Sequence, residues 1–319
     1  MDEPRVAAHR RFQTPMTRGT TADDLALPAA AAFTTADGTL RYLDEGAGPA
    51  VVCVHGNPTW SLYYRRLLRV LSADHRVIVP DHLGMGRSDM PSEDWYGFDL
   101  AARVDDFAAL MDHLGVGVSR PATLVVHDWG GAIALTWAAR QPSRVGRIVV
   151  MNTAAFPPPH GQRFPWLLRL PRVPYLGEVL VCGLNAFVRG VLLFGARRQR
   201  LPRQVRRAYR APYDSWHRRT AVLRFVRDVP AAPGSRTHAL LAETAGELHR
   251  LADRPALIVW GMRDPVLRPS ILAEWRRRLP AAEVHAIGDA GHLVLEDAPE
   301  ALPLIADFLA RTRRAVDGP

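Results

Sequence analysis

Short β-branched runs alternate along this chain with stretches of helical apolar spacing, and that alternation points to a mostly parallel sheet built from strand–helix–strand units. Val51 to His55, Arg76 to Pro80, Ala122 to His127 and Arg147 to Met151 read as buried strands, with Ala256 to Trp260 and Glu283 to Ile287 following late. Leu100 to Leu114, Gly131 to Arg140, Ser270 to Leu279 and Pro299 to Ala310 carry apolar residues at helical spacing. The fold class that follows is α/β, a mostly parallel, doubly wound sheet. From about Pro157 to Ser235 the strand pattern gives way to arginine-rich amphipathic helices separated by prolines. We therefore expect a core of residues 1–156 and 236–319, with 1–30 a loosely ordered leader, and a helical cap of residues 157–235 inserted between two strands.

With 319 residues, 48% hydrophobic and 23% charged, the chain has the length and apolar content for a large core. All 41 of its Lys and Arg residues are arginine, and the net charge of +9 comes from one segment. Between Arg163 and Arg219 thirteen arginines face only Glu178 and Asp214, while the remainder is nearly balanced. This cluster is either a solvated helical face or a platform for an acidic protein or an anionic lipid. No nucleic-acid-binding motif accompanies it, so no nucleic acid is expected as partner. Cys53 and Cys182 give neither a disulfide framework nor a zinc-ligand spacing, which points to a reducing, cytoplasmic compartment. Met1 to Thr21 lacks the hydrophobic middle of a secretory signal, and Tyr175 to Gly195 is interrupted by Glu178, Asn185 and Arg189, too often for a membrane span.

The chemistry starts where Thr123 to His127 runs into Asp128-Trp129-Gly130-Gly131 and a helix. A strand, a sharp turn and a helix lift the turn residue above the sheet edge, and Asp128 occupies that nucleophile position. Val126 stands where a glycine would strengthen the motif, and alone Asp128 would equally serve as a helix N-cap. His55-Gly56-Asn57-Pro58-Thr59-Trp60 follows an earlier strand, where its amides would face the same turn as oxyanion donors. Asp264 ends a late strand, and His292 follows the last one. Nucleophile, acid and histidine thus come in the chain order Asp128, Asp264, His292 at successive strand ends. Gly84-Met-Gly-Arg-Ser88 lacks the third glycine of a dinucleotide loop. His55 and His127 have no carboxylate or cysteine grouping at metal spacing, so no metal is expected.

Together these residues resemble the haloalkane dehalogenase family of α/β-hydrolases over about Leu40 to Leu309. The resemblance is carried by His55 to Trp60, Asp81 to Asp89, His127 to Gly131, Asp264 and His292. It implies the α/β-hydrolase fold with an inserted helical cap, and no cofactor. Some members place the acid after the sixth strand, where this chain has the neutral Asn152, so the role falls to Asp264. With Asn57 in the first loop the set is similar to the third subfamily, which also holds the β-lactone decarboxylases of bacterial long-chain olefin biosynthesis. Met151 to Pro157, Ala211 to Arg219 and Arg224 to Pro230 look more like those decarboxylases. The resemblance therefore implies decarboxylation of cis-3-alkyl-4-alkyl β-lactones to cis-alkenes and CO2, ahead of hydrolysis of 1-haloalkanes to alcohol and halide. An epoxide hydrolase, for which Tyr175, Tyr209 and Tyr213 are available, and a non-catalytic ligand-binding homologue rank behind both. The substrate is expected to be small and apolar, and the Arg-rich cap to meet a pathway-enzyme complex or a membrane surface.

An aspartate at the turn restricts the substrate on physical grounds. A hydroxyl attacking saturated carbon would leave an ether that water cannot readily cleave, whereas a carboxylate leaves an ester that turns over. Asn57 and Trp129 supply backbone N–H groups for the oxyanion, and their side-chain amide and indole N–H are donors toward a departing anion. Phe156, Trp166, Phe187 and Trp216 are candidates for an apolar cap pocket, with the cap's own core as the alternative.

Overall fold

The computed structural model describes residues 22–159, 165, 168–230 and 234–317. Its eight strands form one sheet in the order β1-β2-β4-β3-β5-β6-β7-β8. β1 (Ala31–Thr35) and β2 (Gly38–Glu45) make a hairpin, and β2 runs antiparallel to β4 (Arg76–Pro80). β3 (Ala50–Val54), β4, β5 (Ala122–Asp128), β6 (Val145–Thr153), β7 (Ala256–Gly261) and β8 (Glu283–Ile287) are parallel. Val51 to Val54, Val77 to Val79, Leu124 to Val126 and Leu257 to Trp260 have no accessible surface, as strands covered on both faces require.

The helices are α1 (Ala22–Leu25), α2 (Arg65–Leu71), α3 (Leu100–His113), α4 (Trp129–Arg140), α5 (Ala186–Phe194), α6 (Arg203–Arg210), α7 (Trp216–Asp228), α8 (Arg236–Glu247), α9 (Pro269–Arg278), α10 (Val294–Asp297) and α11 (Ala301–Asp317). α3, α4 and α8 pack together, with α4 against β3, β5 and β6, while α11 packs on α2, β6 and β7. Between β6 and β7 the chain leaves the sheet for a one-and-a-half-turn helix (Glu178–Gly183) and α5 to α7, then returns to the sheet layer through α8.

Part of the segment expected to be a loosely ordered leader is tied to the core. Residues 22–30 are held, because Arg65 donates to the Asp24 carbonyl at 3.1 Å and Arg87 to the Pro28 carbonyl at 2.8 Å. Met1 to Thr21, the other part of that expectation, lies outside the described residues, as does Trp166. Cys53 and Cys182 are both buried and unpaired. Among the described residues no helix is long and apolar enough to cross a membrane, and no cluster of metal-ligand side chains occurs.

Parallel strands all end on one edge of the sheet, so residues distant in sequence meet there. The loop after β3 brings Asn57, β5 ends at Asp128, β6 carries Asn152 near its end, and the loops after β7 and β8 bring Asp264 and His292.

Candidate active site

Asp128 sits at φ +52°, ψ −127°, a backbone conformation that costs an L-residue on the order of 1–3 kcal/mol. The surroundings hold it there. Thr153 Oγ1 donates to the Asp128 carbonyl, and α4 begins so close to β3 that a Cβ on Gly130 would lie 2.0 Å from the Val54 carbonyl oxygen. The carboxylate does not act as a helix N-cap, since it makes no capping bond to the amides deeper in the first turn of α4. Instead the Asn57 amide donates to Asp128 Oδ1 at 2.8 Å, and the Trp129 amide hydrogen-bonds the same carboxylate. Burial pushes the Asp128 pKa up, against the opposing pull of His292 and these two amides.

Asp128 Oδ2 lies 3.6 Å from His292 Nε2, and His292 Nδ1–H donates to Asp264 Oδ2 at 2.7 Å. Asp264 is fixed in turn, since its Oδ1 accepts from the Val266 and Leu267 amides at 2.8 and 3.0 Å. Burial alone would discharge the imidazole, but Asp264, by charge and hydrogen bond, and then Asp128 outweigh it and lift His292 to about 9. Behind the imidazole, His127 stacks on Tyr63, lies with its ring tilted against His292, and donates from Nε2 to the His292 carbonyl at 2.9 Å. Burial holds His127 and His55 neutral, His55 at about 4, which suits packing partners rather than proton carriers.

Asn152 takes a part that its neutral side chain does not advertise. Its Nδ2 donates to Asp264 Oδ2 at 2.9 Å and to the Gly261 carbonyl at 3.0 Å, while its Oδ1 accepts from the Gly261 amide at 2.7 Å. It clamps the acid to the end of β7. The Asn57 side chain reaches the cap: Nδ2 donates to the Val222 carbonyl of α7 at 3.2 Å, which leaves one of its two N–H bonds for an anion. Trp129 is half-buried, its ring 5.4 Å from Phe225 of α7. α7 therefore roofs the nucleophile through Val222 and Phe225, residues hidden in sequence within the arginine-rich insertion.

The other pocket candidates scatter. Phe156 is fully buried with its ring edge-on to Trp275 and under the Arg278 guanidinium, so it is core behind β6 and not an open cap wall. Trp216 is half-exposed on the outside of α7, against Gly183. Phe187 is half-buried on α5.

Gly56 offers a direct check of the geometry. A Cβ there would lie 2.1 Å from Asp128 Oδ1, so Gly56→Ala must displace the carboxylate. We expect it to lower kcat by about 100-fold with the fold retained, measured by steady-state kinetics beside a thermal melt.

The profile of the α/β-hydrolase fold matches residues 49–299. The chain belongs to the α/β-hydrolase family. Among curated relatives of this α/β-hydrolase, the cis-3-alkyl-4-alkyloxetan-2-one decarboxylase of Shewanella oneidensis is 44% identical over 291 residues, 91% of each chain. The enzyme of the same name from Xanthomonas campestris pv. campestris is 46% identical over 280 residues, 85% of this chain and 92% of that one. Among solved structures, the haloalkane dehalogenase DbeA from Bradyrhizobium elkani superposes with a TM-score of 0.78 at 28% identity, covering 89% of this chain and 99% of that one.

Proposed function

We propose that this α/β-hydrolase converts cis-3-alkyl-4-alkyl β-lactones to cis-alkenes and CO2, with Asp128 as nucleophile. The observation that carries the reading is 44% to 46% identity to two decarboxylases over most of the chain, against 30% to 34% to haloalkane dehalogenases over a similar span. In the first step Asp128 Oδ2 attacks the ring carbon bearing oxygen, the C–O bond breaks, and a carboxylate departs toward the remaining Asn57 amide N–H and the Trp129 indole. In the second, the C–CO2 bond breaks, its electron pair forms the alkene, and Asp128 leaves as carboxylate. Inversion followed by anti elimination keeps cis geometry. His292, charged and within 3.6 Å of Oδ2, stabilises Asp128 as it leaves.

Haloalkane hydrolysis uses the same groups differently. Esterification removes the Asp128 charge, one of the forces that lift His292, so a larger share of the imidazole is neutral and free to take a proton from water at that moment. The two reactions therefore respond to pH with opposite sign. In the free enzyme His292 loses its charge as the pH rises through about 9, so kcat/KM for decarboxylation is expected to fall across that range, whereas hydrolysis, which needs neutral His292, rises. The test is a paired assay of a cis-β-lactone and a 1-haloalkane across that range in ¹⁸O-water. Alkene formed with Asp128 unlabelled supports the reading. Halide release with label in Asp128 or the alcohol, and no alkene, overturns it. The histidine also makes stability pH-dependent: its raised pKa adds stability below about 6.5 that is lost as the pH climbs through about 9.

The buried free cysteines fit a reducing, cytoplasmic compartment. The Arg-rich insertion fits contact with an anionic partner, because so much of its charge lies in a stretch without acids.

A further inference from the structure

Between Val179 and Ala211 the chain has eight arginines and no acidic residue. Among the described residues Arg189, Arg203, Arg206, Arg207 and Arg210 form no ion pair. These five, with Leu192 and Leu193, line a cavity of about 430 Å³ between α5 and α6. An ordinary surface helix turns charged residues outward. Here large apolar side chains share the outward face with arginines such as Arg189: Val179 is 51% exposed, Leu184 59%, Leu193 41% and Phe194 58%. Trp216, 52% exposed, lies against Gly183 beside Leu184. Apolar side chains thus run from Trp216 along α5 to a cavity walled by arginines.

We propose that this face of the insertion docks on the surface of a lipid bilayer bearing anionic headgroups. Exposed large apolar side chains beside arginines without acidic neighbours form an interfacial surface, in which the apolar groups enter the acyl boundary and the guanidiniums meet phosphates. An acidic protein would account for the arginines but leave the apolar run uncovered. A second copy of this chain would set two basic faces against each other. The position of α5 gives docking a consequence. Gly195, at its end, accepts a hydrogen bond from the Leu293 amide at 3.0 Å, and Leu293 follows His292. The docked face is therefore tied to the loop that carries the histidine, where a substrate with two alkyl chains could pass from membrane to site. The docking itself does not depend on which reaction occurs.

The full chain, incubated with phosphatidylcholine vesicles with or without 30% phosphatidylglycerol, is separated by flotation. Binding is expected to be at least about tenfold tighter with phosphatidylglycerol and weaker in 0.5 M salt. Arg189→Gln/Arg203→Gln/Arg207→Gln, all exposed positions, should lose on the order of 100-fold in vesicle binding, at about fivefold per arginine. Leu184→Ser/Phe194→Ser should weaken it at least about tenfold. Both variants should keep the wild-type melting temperature and their turnover of a short-chain, water-soluble substrate. Equal binding to neutral and anionic vesicles, or variants that bind like wild type, would overturn the proposal. So would variants that dissociate a self-assembled form in the absence of vesicles, which would make this face an interface between copies. Loss of decarboxylation with vesicle binding intact would strike the proposed function alone.

Discussion

Asp128→Ala is expected to abolish turnover of β-lactone and haloalkane alike, lowering kcat by at least about 10⁴-fold while the protein stays folded. In the proposed mechanism the bond to carbon forms at Oδ2, and Asp264, the other carboxylate at His292 among the described residues, is held by His292, Asn152 and two backbone amides. Asp128→Asn is the sharper variant. Asparagine tolerates φ +52° and retains an oxygen for the Asn57 amide, yet it lacks a nucleophilic carboxylate. Both variants should melt within a few degrees of wild type. Residual activity in either above about 1% of wild type would remove the covalent mechanism and leave His292 to act directly on water or substrate.

Glu296→Ala should destabilise the fold by about 3–5 kcal/mol, because it strands a buried guanidinium. Arg65 is 1% exposed and donates from both terminal nitrogens to Glu296, at 2.9 Å for Nη2 to Oε2. Tyr209 of α6 donates to Glu296 Oε1 at 2.5 Å, so this single carboxylate ties α2, α10 and the insertion together. Burial would raise the Glu296 pKa, but Arg65 outweighs it and holds it below the usual carboxylate range. The stability it contributes is therefore present above the ordinary glutamate pKa and is lost as the pH falls through its depressed value. Urea unfolding at pH 7 and pH 4 checks both statements, with Glu296→Gln expected between wild type and alanine. An alanine variant within 1 kcal/mol of wild type, against the range expected for a broken buried pair, would show that water reaches Arg65.

The strand runs from Val51 to Trp260 were legible because a strand buried on both faces is apolar at most consecutive positions, whereas Glu283 to Ile287, part-exposed at the sheet edge, carries only Val284, Ala286 and Ile287 as apolar residues. The β1–β2 hairpin was not. β1 is exposed along one edge, so Ala31 to Thr35 carries no such run, and only pairing with Tyr42 to Gly38 defines it. The candidate triad residues were legible for a different reason: Asp128, Asp264 and His292 each follow a strand end, and strand ends of a parallel sheet share an edge. Asn152 was visible only as a missing charge, since its clamp on Asp264 depends on a contact with β7 over a hundred residues away. The roof of α7 and the core position of Phe156 were hidden for the same reason, because an aromatic in an amphipathic helix or loop does not announce which wall it will meet.

What the sequence by itself determined is the order of strands and helices and the chemical identity of the groups at the sheet edge, because both follow from local patterns of apolarity and residue type. The tertiary structure alone decided which oxygen of Asp128 is gripped and which faces His292, how two carboxylates raise one imidazole, and where the insertion's apolar side chains emerge. Those outcomes depend on distances of a few ångströms between segments far apart in the chain, and no local pattern encodes them.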